Sequence, residues 1–314
     1  LILIILQLIM AEFSYIALIT PLESRAFHMA VAEGTMGVGF LIGTAINGVI
    51  IDNMGLDTLA YLTACVAVIP FFLALVFVRD VLHTTDPPNW REVVGFSHVL
   101  DAFKTIYKKR EGYNRVLLNL SFVLYAFPFV GMLIFTSGSF LYFVKELGFS
   151  MTEYSIFNSV RVGVICLGSP LLIHIIRRIR KVEDLDFAMG CNILLSLGTI
   201  IMSQPSIPAS LWIGGIISFP QGAMYALIRA IQTKICGKDE LGRLFAFDAI
   251  MQCVLTTSVS IGGKFLYTES LAFWPSMFIA ISALMLVCSM IVIIIMSRLS
   301  YYNNTGSTLV QRPT

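Results

Sequence analysis

Residues 273–297 read FWPSMFIAISALMLVCSMIVIIIMS and include no Asp, Glu, Lys or Arg. A helix that crosses the hydrocarbon core of a bilayer needs about 20 predominantly apolar residues. Eight further segments meet this requirement, at 1–19, 28–50, 58–79, 116–142, 153–176, 186–204, 209–233 and 244–266. The composition agrees, since 57% of the residues are hydrophobic and only 13% are charged, against about 25% charged in soluble domains. We therefore predict an all-α polytopic membrane protein with about nine spans.

The positively charged residues indicate the orientation of these spans. Seventeen of the 21 Lys and Arg residues lie in the linkers after the first, third, fifth, seventh and ninth spans, and the other four linkers hold only Lys145 and Lys264. The seventeen are Arg25, Arg79, Arg91, Lys104, Lys108, Lys109, Arg110, Arg115, Arg177, Arg178, Arg180, Lys181, Lys234, Lys238, Arg243, Arg298 and Arg312. Because cytoplasmic loops carry the excess of Lys and Arg, we predict a cytoplasmic C-terminus, with residue 1 on the opposite side.

Several classes of function are not supported by the residues present. A net charge of only +2 argues against a nucleic-acid partner. The six cysteines show no C-x-x-C spacing and lie in or beside apolar segments, which indicates helix packing rather than a disulfide framework or a zinc site. The chain has no H-E-x-x-H or G-x-S-x-G motif, and its four histidines are scattered, at His28, His83, His98 and His174. We predict no enzyme, metal or cofactor, and we name no protein partner.

One long linker, residues 80–115, divides three predicted spans from six. It begins with DPPN at residues 86–89 and continues with apolar residues at helical spacing, at Phe96, Val99, Leu100, Phe103, Ile106 and Tyr107. Basic residues beside this face predict either an amphipathic helix on the inner leaflet or a solvated connector helix. The predicted organisation is a helical segment 1–79, the linker 80–115, a six-helix half 116–297 and a tail 298–314.

A short internal repeat relates the two parts. Arg25 and Phe27 begin the second span and Arg243 and Phe245 begin the eighth, six spans later, and an acidic residue precedes each pair. A parallel repeat of six spans is typical of the major facilitator fold, whose substrate site lies between the two halves. Under this interpretation the first half lacks three helices, the spans present correspond to helices 4–12, and the chain is truncated at its N-terminus.

Three segments carry a resemblance to a known family: FSYI at residues 13–16, ITPLESRAF at 19–27 and MAVAEG at 29–34. They resemble solute carrier family 46, the proton-coupled folate transporter family within the major facilitator superfamily. The resemblance is densest over residues 13–52 and implies that they form the end of helix 4 and the start of helix 5. It also implies proton coupling at Glu33, substrate contact at Arg229, and substrates such as folate-like anions, anionic peptide or nucleotide conjugates, or steroid conjugates.

Five charged residues lie inside predicted spans, away from the outermost three residues at either end, where a charge costs about 2.5–3.5 kcal/mol on insertion scales. They are Glu12, Glu33, Arg161, Arg229 and Asp248. Glu33 can carry a coupling proton because burial favours its neutral form, and Arg229 can hold an anionic substrate group. A structural ion pair or snorkelling of Arg229 is the alternative. Arg161 is predicted to contact substrate or an acidic partner, or to pack between helices. Asp248 is predicted to pair with Arg243, and Glu12 has no evident partner.

Two prolines, Pro128 and Pro220, are predicted to interrupt their spans, because proline removes a backbone donor and bends the helix. Residues near these bends or near Arg161 are predicted to line a substrate cavity: Tyr125, Phe129, Asn158, Gln221 and Tyr225. We predict a symporter of protons and a small organic anion that works by alternating access, in the plasma membrane or a lysosomal membrane. A membrane receptor or scaffold without transport is the alternative.

Overall fold

The computed structural model describes residues 2–77, 97–204, 208–271 and 273–310, which are helical apart from short turns. The α-helices are α1 (Ile2–Ile19), α2 (Arg25–Phe77), α3 (Ser97–Tyr107), α4 (Asn114–Leu141), α5 (Met151–Ile179), α6 (Asp184–Met202), α7 (Pro208–Ile217), α8 (Gln221–Ile235), α9 (Leu241–Ser270) and α10 (Met277–Val310). A π-helical turn, Tyr142–Glu146, extends α4, and a 3-10 turn, Lys238–Glu240, precedes α9. The prediction of an all-α membrane fold is confirmed.

Seven stretches within the described ranges are long and apolar enough to cross a membrane, so the predicted count of nine was approximate. The predicted spans 28–50 and 58–79 both lie on α2, which changes direction at Gly55. Gly55 has φ 81° and ψ 169°, a left-handed conformation that glycine adopts without a steric penalty. The predicted span 1–19 is α1, of which residues 9–19 form a shorter apolar helix.

The two prolines that were predicted to break helices behave differently. At Pro220 the prediction holds, since α7 ends at Ile217 and α8 begins at Gln221. At Pro128 it was wrong, because α4 continues through the proline without interruption. Pro128 removes the helical donor of the Leu124 carbonyl, four residues earlier, and α4 nevertheless runs without a break over Asn114–Leu141.

The packing brings residues from both ends of the chain together. α4 packs along α10 and α9, and α6 packs along α7, α8 and α10. The two N-terminal helices lie against this group: α1 contacts α9, and α2 contacts α5 and α8. Phe13, Tyr125 and Phe245 are among its largest fully buried side chains. Many apolar side chains on the outside are exposed, for example Tyr61 and Val76 of α2, as expected of helices whose outer faces meet lipid.

Helix α3 lies inside the segment predicted to be the linker. Its Ala102 and Ile106 are buried, and the Phe103 ring packs on Phe247 of α9 with centroids 5.2 Å apart. Leu100 and Tyr107 of the predicted apolar face remain exposed. One side of α3 therefore packs against α9, and the apolar side chains of Leu100 and Tyr107 are left exposed. Residues 78–96, which include the predicted DPPN break and Phe96, lie outside the described ranges.

Candidate functional site

Arg229 of α8 is the centre of a buried charged cluster. Each of its nitrogen atoms faces a different partner: Nη1 pairs with Glu33 of α2, Nε lies 3.7 Å from Asp248 Oδ2 of α9, and Nη2 donates to the Tyr125 hydroxyl of α4 at 2.9 Å. Gln252, one turn after Asp248 on α9, donates to the same Asp248 oxygen at 3.2 Å. Helices α2, α4, α8 and α9 thus meet at one guanidinium.

Two aromatic rings lie close to this guanidinium. The Arg229 carbon Cζ lies 4.0 Å from the ring centroid of Phe13, on α1, and 5.2 Å from that of Tyr125. Arg229 is 3% exposed and Asp248 is fully buried, whereas the Glu33 side chain is 18% exposed. A buried charge needs a partner to be tolerated, and Arg229 has two, Glu33 and Asp248. With both carboxylates ionised the cluster carries one excess negative charge, and Glu33 is the carboxylate that can be reached from outside.

Glu33 faces a cavity of about 650 Å³ between α2, α4, α5 and α8. Phe40 of α2, Ser139 of α4 and Tyr154 of α5 lie toward one end of these helices, and Glu33 and Gln221 lie deeper. Most of the wall is apolar or aromatic, with a few polar groups. A cavity of this size and composition is typical of a site for a small organic molecule.

Arg161 of α5 is the cation on the cavity wall. Its Nη2 donates to Gln221 Oε1 at 3.2 Å, and its Cζ lies 4.6 Å from the ring centroid of Phe135. Its Nε is buried without a hydrogen-bond partner. In the part of the chain that the structure describes, no carboxylate forms an ion pair with Arg161. The guanidinium is therefore held in place by an amide and a ring, and its charge is not balanced locally.

Beyond the Arg229 cluster, on the side away from the cavity, basic residues join the helix ends. Arg25, at the start of α2, donates to the Thr233 carbonyl at 3.4 Å and to the Thr20 carbonyl at 3.3 Å. Arg177 donates to the Glu23 carbonyl. These contacts link residues 20–25 to the ends of α8 and α5. Cations are favourable at the C-terminus of a helix because the last carbonyls there lack internal partners.

Further contacts join the helix ends on the same side. Lys234, in the last turn of α8, pairs with Asp184 Oδ2 of α6 at 2.6 Å, and Asp184 also pairs with Arg177. Arg110 pairs with Glu240 at 2.6 Å and donates to the Ile235 carbonyl at 3.5 Å. The described helices are therefore closed at the end that carries most of the basic residues, and the cavity lies on the other side of the cluster.

The structure corrects one pairing and locates the remaining predicted residues. Asp248 pairs with Arg229 and not with Arg243, because it lies on the buried face of α9, which packs against α1 and α4, and Arg229 of α8 reaches it there. Glu12 is exposed on α1, and no ion pair is formed by it among the described residues. Asn158, Gln221 and Tyr225 line the cavity. Tyr125 and Phe129 were also predicted to line the cavity, and this was wrong: neither is on its wall. The Tyr125 ring packs on Tyr225 of the wall, with centroids 5.2 Å apart, and on Phe129, with centroids 5.6 Å apart.

Three residues of the site were not predicted from the sequence. Phe13 and Phe135 each stack on an arginine, and Gln252 holds Asp248. The spacing of Asp248 and Gln252, four residues apart on a helix, was a signal that these two side chains share a face. No comparable signal in the sequence pointed to either phenylalanine, since apolar segments of this chain contain many.

Comparisons with known proteins agree with this architecture. Residues 8–255 match the family model described as the Major Facilitator Superfamily. No curated protein matches the chain. Among solved structures, the crystal structure of the human organic anion transporter MFSD10 (TETRAN) is similar, with a TM-score of 0.65 and 17% sequence identity over 91% of this chain and 67% of that one. At this identity the likeness concerns the fold.

Proposed function

The chain belongs to the major facilitator superfamily, whose members are membrane transporters, and we propose that it is a secondary active transporter that moves a small organic anion together with protons. The observation that carries the proposal is Glu33, a carboxylate on the cavity wall that is ion-paired with the buried Arg229. The proposal includes membership of solute carrier family 46, supported by the motifs at residues 13–34.

Glu33 is the proposed proton carrier. Its carboxylate reaches the cavity, so protons have access to it, and it pairs with a cation on another helix. Protonation removes one negative charge from the cluster but leaves Arg229 paired with Asp248. The buried guanidinium therefore keeps a counter-charge in both protonation states, which avoids the large cost of an uncompensated buried charge.

Arg161 is the proposed anion contact, and Asn158, Gln221 and Tyr225 line the same cavity. Tyr125 accepts a hydrogen bond from Arg229, and Phe129 packs on the Tyr125 ring. A planar guanidinium with unsatisfied donors suits a carboxylate, sulfonate or phosphate group. Loss of a hydrogen bond to a charged group costs about 1.5–3 kcal/mol, so Arg161→Gln is expected to weaken anion binding by roughly 10-fold or more.

Alternating access is the proposed transport cycle. The excess of Lys and Arg on one side assigns that side to the cytoplasm, and it is the side on which Arg25 and Arg177 join residues 20–25 to the rest of the described helices. The structure then corresponds to an outward-facing state, with the cavity above a closed cytoplasmic end. Weakening of the Glu33–Arg229 pair loosens α2 from α8 and favours opening of that end.

The test is uptake of radiolabelled organic anions by the protein expressed at full length in a plasma membrane or reconstituted in liposomes. An inward proton gradient of about two pH units is expected to raise uptake several-fold in the wild type, because the proton and the anion move together. Glu33→Gln is expected to abolish this stimulation, since a glutamine cannot carry a proton.

Glu269→Gln is the matched control, because it removes an exposed carboxylate in the last turn of α9 that is not on the cavity wall. It is expected to transport as the wild type does. Uptake that ignores both pH and Glu33 would contradict proton coupling. Absence of uptake for every anion tested, with the protein correctly inserted, would favour a receptor or scaffold.

A further inference from the structure

Four polar side chains of α8 lie in a line along one face of the helix. Gln221, Tyr225, Arg229 and Gln232 follow one another at spacings of four, four and three residues, which keeps them on one side of a helix with about 3.6 residues per turn. Gln221 and Tyr225 line the cavity, and Arg229 holds the charged cluster. The line therefore continues beyond the cluster, toward the end of the molecule that is closed.

Gln232 is the member of this line that lies beyond Arg229. Its side chain is 0% exposed, and neither the amide nitrogen Nε2 nor the amide oxygen Oε1 has a hydrogen-bond partner among the described residues. An amide can donate two hydrogen bonds and accept others. Burial without these bonds is costly, because the lost contacts with water are not replaced. The closed conformation thus contains a polar group that its own side chains and backbone do not satisfy.

The burial of Gln232 does not depend on helices outside the described group. Both amide atoms are already out of contact with solvent, so a further helix packed on the outside could not reach them. Gln252 of α9 is buried as well, but its amide donates to Asp248 at 3.2 Å. The two glutamines therefore differ in their partners and not in their burial.

The line of polar residues lies where α8 meets α2. Arg229 pairs with Glu33 of α2, and the Thr233 carbonyl, one residue after Gln232, accepts a hydrogen bond from Arg25 at the start of α2. In the alternating-access cycle proposed above, the cytoplasmic end opens as α2 separates from α8. Gln232 lies at this contact, so the separation uncovers it.

We propose that Gln232 is a residue of the transport pathway that favours opening of the cytoplasmic end, because its amide gains hydrogen bonds from water or substrate only in the open conformation. This inference rests on the alternating access proposed above. In the closed conformation the amide raises the free energy, and in the open one it forms part of the polar wall of the passage. An amide suits water and also a carboxylate, amide or hydroxyl group of a substrate, since it both donates and accepts.

The thermal stability of the full-length protein in detergent tests the cost of the buried amide. Gln232→Met nearly keeps the volume of the side chain but removes the amide, so we expect the melting temperature to rise by a few degrees. Gln252→Met is the matched control, because it breaks the bond to Asp248 and is expected to lower the melting temperature. An unchanged or lower value for Gln232→Met would show that the amide is satisfied in the closed conformation, for example by a trapped water, and would overturn the proposal.

The labelling of Cys236 by a maleimide tests the effect on opening, since Cys236 directly follows α8 and is buried. Gln232→Met is expected to slow this labelling by about fivefold or more, because opening no longer gains hydrogen bonds for the amide. A substitution that only disturbed the packing would speed the labelling instead. A rate equal to that of the wild type, or faster, would contradict a role of Gln232 in opening.

A cysteine placed at position 232 tests whether this position is uncovered. In protein with Cys236→Ala, reconstituted in liposomes, Gln232→Cys is expected to react with a maleimide on the cytoplasmic side several-fold faster than Ala230→Cys. Ala230 is the matched control because it is also fully buried but lies on the opposite side of α8, two residues away. Equal rates at the two positions would show that the line of polar residues is not part of the passage.

The two proposals fail in different ways. If Gln232→Met stabilises the protein and slows labelling but no anion is taken up with protons, the role of Gln232 in opening stands and the proton-coupled function is wrong. If proton-coupled uptake is observed but Gln232→Met is destabilised as Gln252→Met is, transport stands and the inference about Gln232 is wrong.

Discussion

Arg229 and Arg161 are two intramembrane arginines with opposite surroundings. Arg229 has two carboxylates, a tyrosine hydroxyl and two aromatic rings around one guanidinium. Arg161 has an amide and a phenylalanine ring, and among the described residues it pairs with no acid. The first charge is paired within the protein, and the second has no ion-pair partner among the described residues.

This difference in partners shows that the role of an intramembrane arginine does not follow from its residue type and depth alone. Both arginines carry the same cost of insertion, but the cost of Arg229 is offset by its own protein partners. For Arg161 no carboxylate among the described residues offsets it. A buried arginine without an acid is therefore the stronger indication of an anion site, and a fully paired one indicates a structural or coupling role.

The largest expected effect is a difference in protein stability between substitutions of the two arginines. Arg229→Met removes the counter-charge of the fully buried Asp248, and breaking a buried pair in this way costs about 3–5 kcal/mol. Arg161→Met has no ion pair to break and is expected to cost less than about 1 kcal/mol. The measurement is the thermal stability of both variants in detergent, followed by size-exclusion chromatography.

A double substitution tests the reason for this effect. Arg229→Met combined with Asp248→Leu removes both charges, so a substantial part of the lost stability is expected to return. If the double variant is no more stable than Arg229→Met alone, the penalty does not arise from the stranded carboxylate. Equal destabilisation by Arg161→Met would break the comparison itself.

The next largest effect is expected at the contact between α2, which carries Glu33, and α5, which carries Arg161. A Cβ on Gly37 would collide with Cys166 Sγ of α5, and overpacking of this kind costs about 1–3 kcal/mol. Gly37→Ala is therefore expected to lower thermal stability and to reduce uptake, and Cys166→Ala in the same protein is expected to restore both.

Gly39 offers a matched control on the same helix, because nothing lies within 4 Å of a Cβ built there. Gly39→Ala is expected to be neutral or stabilising, since alanine is favoured over glycine in a helix by about 1 kcal/mol. Destabilisation of equal size by both alanines would show that the close approach of α2 and α5 is not the cause.

The smallest expected effect is a change in the labelling rate of Cys236, which lies after the end of α8, on the basic side of the Arg229 cluster. Burial raises the pKa of the Cys236 thiol, after the end of α8, to about 11, although the nearby Arg110 lowers it. A higher pKa means less thiolate, so alkylation of Cys236 by a maleimide at neutral pH is expected to be roughly a hundredfold slower than that of an exposed cysteine. Mass spectrometry of the labelled peptide measures the rate.

Cys236 also connects this measurement to the charged cluster. Glu33→Gln weakens the contact of α2 with α8 and is expected to raise the labelling rate a few-fold, because the end opens more often. The substitution Arg161→Gln is expected to leave the rate unchanged, and Cys236→Ser identifies the labelled position. Labelling at the rate of an exposed thiol in the wild type would contradict a closed end.

Much of the fold followed from local patterns. Apolar stretches such as 116–142 and 273–297 place helices because a bilayer requires about 20 apolar residues and internal hydrogen bonding. The effect of proline was less predictable: Pro220 ends a helix and Pro128 does not. Both prolines remove a backbone donor in the same way, so the local sequence does not distinguish them.

The candidate site was predictable in part for a related reason. The cost of burying charge singled out Glu33, Arg161, Arg229 and Asp248, whatever the fold. It could not say which of them pair. Asp248 was assigned to Arg243, its neighbour in sequence, whereas the packing of α9 against α1 and α4 turns it toward Arg229 on α8.

The amino-acid sequence by itself determined the membrane-embedded helical architecture and the short set of intramembrane charges, because hydropathy and the cost of burying charge depend on residue type alone. Only the tertiary structure decided that Arg229 is neutralised by Glu33 and Asp248 and that Arg161 is left facing a cavity. Ion pairing depends on a few ångströms between side chains of distant helices, and that distance is set by helix packing, which no local pattern contains.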